Sequence, residues 1–173
     1  MGNYNFKLDL PIGKRGESIW VEYITSVCGG EYLEECNTNE WDIKLQSRKK
    51  STYKYEVKND VYIAPGRRLP NGYYAKGFDT GNIFIEFQCR GKDSGILVTT
   101  ADYWVNLFNY FNEFWVIPVH KLKKLIGENN FHTTERSGDD GSNTCGYLIP
   151  REKFKEHFKV INFKSILYPV NIK

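Results

Sequence analysis

Residues 82–90 show the plainest alternation in the chain. Ile83, Ile85 and Phe87 fall on one side and Phe84, Glu86 and Gln88 on the other, as on a half-buried strand. Two shorter stretches, 40–46 and 52–59, read as strands joined by a link of hairpin size. Trp20, Tyr23, Ile24 and Val27 recur instead at the spacing of one helix face, which predicts a helix from Glu17 to Cys28, stopped by Gly29-Gly30. Strands follow at 103–108 and 113–119, with a turn at 109–112 between them, and then a short helix marked by Leu122, Leu125 and Ile126. A polar loop over 129–143, a strand near 147–149, a helix over 150–158 and an extended tail complete the pattern. Residues 64–72 form a loop rich in Pro and Gly, and 90–95 a turn with two glycines. The expectation is an α/β protein with one central mixed sheet. That sheet holds the strands at 40–46, 52–59 and 82–90, and the 17–28 helix packs on it.

Length changes little in this picture: 173 residues fit a single domain over 1–173, and no repeat or boundary interrupts it. The four cysteines, at 28, 36, 89 and 145, form no Cys-x-x-Cys and no zinc-finger spacing with a histidine. They read as free thiols in a reducing compartment. With no apolar signal core at the start and no apolar run long enough for a membrane span, the chain reads as soluble and cytoplasmic.

Charge adds more. Between residues 44 and 68 stand Lys44, Arg48, Lys49, Lys50, Lys54, Lys58, Arg67 and Arg68 against only Glu56 and Asp60. That window carries +6 in a chain of net charge +3, so the remainder carries −3. A basic window of this kind suits a polyanionic partner. Arg90, Lys92 and Ser94 in the later turn are further candidate phosphate contacts.

The candidate chemistry sits inside that window. Glu56 and Lys58 are two apart on a strand and project to one face, while Val57 points the other way. If 40–46 pairs with 52–59, Asp42 reaches the same face. Two carboxylates and an ammonium would then converge. Such a set can hold a hard cation through oxygen ligands and use the lysine to position or deprotonate a water. Glu17 either caps its own helix dipole or joins the carboxylates.

The order helix with Glu17, strand with Asp42, strand with Glu56-Val57-Lys58, further strand resembles the PD-(D/E)XK nuclease superfamily. The match covers about residues 14–119, leaving 120–173 as an extension. The closely spaced Glu17, Asp42, Glu56 and Lys58 look most like the Holliday-junction-resolvase branch. The run from Phe84 to Tyr103 looks like a segment of small phage-type members. Trp41 stands where the superfamily's name has proline. The resemblance implies a restriction-endonuclease-like core and Mg²⁺- or Mn²⁺-dependent hydrolysis of DNA, endonucleolytic, in recombination, repair or restriction. It further implies a dimer, an origin in a phage and action in the host cytoplasm. Asp42, Glu56, the Val57 carbonyl and Glu17 would be the metal ligands, and Lys58 would orient water. Gln88 could help fix a ligand from the neighbouring strand.

Two other classes fit the same sequence. One is a nucleic-acid-binding module with a degenerate site, which has no need of divalent-cation affinity. The other is a protein-interaction factor docking through its aromatics. A histidine nuclease does not fit, because His120, His132 and His157 lie in no metal or nucleophile motif.

Overall fold

A computed structural model describes residues 6–38, 40–60, 79–108, 111–137 and 143–163, with the side chains of 6–12 and 136–137 excepted. The 64–72 loop with Arg67 and Arg68, the tip of the 129–143 loop and the chain from 164 onward lie outside the described residues.

Helix α1 (Phe6–Glu22) runs into a wider turn over Tyr23–Val27. Strands β1 (Glu31–Glu35), β2 (Ile43–Gln46) and β3 (Thr52–Asn59) form an antiparallel meander. After β4 (Asn82–Cys89), β5 (Lys92–Asp93) and a single turn at Gly95–Leu97, β6 (Tyr103–Phe108) returns to lie parallel to β3. Strand β7 (Glu113–Pro118) leads directly into α2 (Val119–Glu128). Then come β8 (His132–Ser137), β9 (Asn143–Pro150), the single turn α3 (Arg151–Phe154) and β10 (Lys159–Asn162). The result is an α/β arrangement with a six-stranded mixed sheet, ordered β1-β2-β3-β6-β7-β10.

The 82–90 strand departs from expectation. As β4 it belongs to a second, four-stranded antiparallel sheet, ordered β5-β4-β9-β8, and the parallel neighbour of β3 is β6. Alternation shows that a segment is a strand with a buried face, but it leaves the choice of partner open. The polar 129–143 stretch holds β8, which pairs with β9 along its length. Residues after 119 thus complete both sheets, through β8, β9 and β10.

Strand pleating sorts the core into two layers. Ile43, Leu45, Tyr55, Val57, Val105, Leu107, Phe114 and Val116 face α1 and pack on its Ile19 and Trp20. The opposite face, through Trp104, Phe108, Trp115 and Ile117, meets Ile83, Ile85 and Ile149 of the second sheet and Leu122 and Leu125 of α2. Glu56 and Lys58 share the parity of Trp104 and Asn106, with which they are in register, so they project toward the second sheet.

Gly16 sets how closely α1 rides on β3. A β-carbon there would stand 2.7 Å from Cβ of Asn59, closer than such atoms come, so only glycine lets the helix backbone settle onto the strand. The helix also begins well before the expected start at Glu17, running through Pro11, Gly13 and Gly16 from Phe6. Glu17 is therefore mid-helix, and the first-turn dipole does not account for it.

Candidate active site

Strand β2 parts from β3 at Asp42, and the geometry there organises the candidate site. The Asp42 N–H donates to the Tyr55 carbonyl at 2.9 Å as the last regular rung. Where the next rung would come, the Asp42 carboxylate accepts the Val57 N–H at 2.7 Å. The side chain replaces the ladder, which fixes it along the edge of β3. Burial pushes the Asp42 pKa up, Lys58 pulls it back, and Glu56 and then Glu17 raise it further, to about 6 overall.

Glu56 is 5% exposed and forms an ion pair with Lys58 at 2.6 Å. Burial alone would lower the Lys58 pKa, but the charges of Glu56, Asp42 and Glu86 more than offset this and hold it above its ordinary value. Lys58 also lies over the Trp104 ring, 5.7 Å from its centroid, and Trp104 is tied to buried Asn106 through its indole N–H at 2.8 Å. The second oxygen of Glu56 lies 3.1 Å from the Thr99 hydroxyl.

Glu17 approaches from the helix side, whereas Glu56 and Lys58 lie on the face toward the second sheet. Its carboxylate accepts from Lys14 at 2.9 Å, and that hydrogen bond, against a smaller effect of burial, raises the Lys14 pKa. Glu17 lines a cleft of about 390 Å³ between α1 and β1, with Tyr32, Glu35 and Ile43 among its walls. Asp42, at the strand edge, is where the two groups come within electrostatic reach. Among the described residues, no three acidic, histidine or cysteine side chains are gathered closely enough to hold a metal ion as they stand. Val57 is buried among the side chains that pack on α1.

Two residues assigned no role from the sequence stand at the site. One is Glu86, whose charge reaches Lys58 from the second sheet, where Gln88 had been the expected contributor. A register shift between Glu86 and Gln88 breaks the simple alternation of β4 there. Ser94 donates its hydroxyl to Glu86, so this candidate phosphate contact already has a partner within the chain. The other is Thr99, which lies within the 84–103 run already noted but whose part at the site depends on Glu56, 43 residues away.

The basic window is partly answered by β1, a strand the sequence reading did not anticipate. Lys44 is paired with Glu34 at 2.8 Å, and Lys50 lies 3.9 Å from Glu31. Lys54 lies over the Trp41 ring, 5.3 Å from its centroid. Arg48, Lys49, Arg90 and Lys92 are exposed.

No protein-family model matches this chain, and no curated protein or solved structure does either. No helix among the described residues is long and apolar enough to cross a membrane.

Proposed function

We propose that this chain is a divalent-cation-dependent deoxyribonuclease with a restriction-endonuclease-like core, and that Asp42, Glu56 and Lys58 form its centre with Glu17 alongside. The observation that carries the reading is the join of β2 and β3. There a half-buried Asp42 is held on the Val57 N–H next to the Glu56–Lys58 pair, in a mixed sheet. Asp42 and Glu56 offer hard carboxylate oxygens of the kind Mg²⁺ or Mn²⁺ takes, and Glu17 reaches Asp42 electrostatically from the helix side. A cation bound there would neutralise charge on the phosphate and make its bound water a better nucleophile.

The protein's own groups then divide the work. Lys58, with its pKa above the usual range, stays an ammonium at neutral pH, so it orients and stabilises rather than taking a proton. Asp42, titrating near 6, is ionised at and above neutrality and gains a proton in mild acid. Incubating the protein with plasmid, linear, single-stranded and branched DNA, in Mg²⁺ or in EDTA, tests the reading. Asp42→Asn and Glu56→Gln should abolish Mg²⁺-dependent cutting. Lys58→Ala should retain cation binding but lose a factor of about 10² to 10³ in rate. Cutting by all three variants at the wild-type rate would overturn it.

A second reading has its own observation: Glu56 and Glu17 are each already paired with a lysine. The cluster is then a structural ion-pair network in a non-catalytic nucleic-acid-binding module. Calorimetry separates the two, since that module would show DNA affinity and no divalent-cation binding.

A further inference from the structure

Thr99 is 3% exposed and sits where the turn after β5 meets the mixed sheet. Its hydroxyl oxygen has three neighbours: the Glu40 carbonyl at 2.9 Å, the Glu56 carboxylate at 3.1 Å and the Ala101 N–H at 3.2 Å. The Ala101 N–H can only donate, so it occupies a lone pair of the hydroxyl. The single hydroxyl hydrogen is left with two acceptors. One of these, the Glu40 carbonyl, is already served by the Thr100 N–H at 2.8 Å, and the other is an ionisable carboxylate, the stronger acceptor. Both distances allow the bond, the Glu40 contact being the shorter, and it is the charge of the ionised Glu56 carboxylate that favours Glu56 as the acceptor.

We propose that Thr99 is a positioning residue that fixes the Glu56 carboxylate in the orientation needed to ligate a divalent cation. The proposal rests on the nuclease reading above and adds the group that aims one of its ligands. With Lys58 on one Glu56 oxygen and Thr99 on the other, the carboxylate is held at both ends. The Thr100 N–H anchors the same turn to the Glu40 carbonyl, two residues before Asp42, so one turn references both carboxylates to a common stretch of backbone. The turn is itself fixed: Ser94 at its start bonds Glu86, the Thr99 N–H donates to the Gly95 carbonyl at 2.9 Å, and Lys123 of α2 reaches the Thr99 carbonyl at 3.5 Å.

The test compares two substitutions of opposite character. Thr99→Val keeps the shape and loses the hydroxyl; Thr99→Ser keeps the hydroxyl and loses the methyl. Mg²⁺ and Mn²⁺ binding is measured by calorimetry on the full chain, and the Mg²⁺ dependence of DNA cutting is measured alongside. Thr99→Val should bind the cation roughly 10- to 100-fold more weakly, as expected when a partner orienting a metal ligand is lost. Its apparent KM for Mg²⁺ should rise while kcat at saturating Mg²⁺ changes less. Thr99→Ser should restore binding. Should Thr99→Val not fold, Thr99→Cys, with a weak donor of similar size, carries the same expectation. The reverse order, with the serine variant impaired and the valine variant normal, would show a packing role and overturn the proposal. Wild-type affinity in the valine or cysteine variant would overturn it while leaving the nuclease reading standing. If the wild type neither binds the cations nor cuts DNA, both fall together.

Discussion

Asp42 makes the stability of this protein depend on pH in an unusual direction. Its pKa of about 6 lies above the ordinary carboxylate value of 3.8, so ionising it costs more in the folded chain than in the unfolded one. That cost is fully present above pH 6, shrinks as pH falls from 6 toward 4, and is absent below both values. Two pKa units correspond to about 3 kcal/mol. Asp42→Asn, which keeps an oxygen for the Val57 N–H, should therefore stabilise the protein at pH 8 by about 1–3 kcal/mol, or several degrees in Tm, and by less than about 1 kcal/mol at pH 4. Thermal unfolding of the two proteins at both pH values measures this. On the proposed nuclease reading, cation binding and cutting should fade together as pH drops through 6, because a proton on Asp42 would compete with the cation.

At the scale of elements, α1 and the β4–β6 connection carry the site. Gly16 lets α1 rest on β3, and this close approach places Glu17 within reach of Asp42. Gly16→Val should push the helix outward and cost about 1–3 kcal/mol in urea unfolding, the usual range for overpacking. It should also weaken any contribution of Glu17 before touching that of Glu56, which sits on the other face. Gly95 plays a comparable part across the sheets. Its φ is +50° and a β-carbon there would lie 2.3 Å from the Glu86 carbonyl oxygen, so the turn that presents Thr99 closes on β4 only because that residue is glycine.

Over the whole molecule, the acidic β1 offsets part of the basic window, which on the proposed reading would set how strongly DNA is attracted. Replacing Lys49 and Lys50 with alanine should weaken DNA binding on every sequence and lower the salt-dependence slope by roughly one to two, at about 0.9 per phosphate contact. Glu31→Gln with Glu34→Gln frees Lys50 and Lys44 from their partners and should strengthen binding at low salt. Fluorescence anisotropy across a salt series reads both. If neither pair of substitutions changes affinity, the window is a solubilising surface and not a DNA contact.

What the sequence determined by itself was local. Strand β3 and strand β6 run over the residues expected to form strands, and β2 pairs with β3 as their spacing and short link suggested, which puts Asp42, Glu56 and Lys58 in one neighbourhood. Period and spacing are properties of adjacent residues, so a single sequence displays them. The tertiary structure alone decided which strands became partners: β4 went to a second sheet with β9, and β6 became the parallel neighbour of β3. It also brought Thr99 to Glu56 from 43 residues away and set Glu34 beside Lys44 of the next strand and Glu31 beside Lys50 of the hairpin link. Contacts of that kind depend on how apolar faces are jointly buried, and no local pattern encodes them.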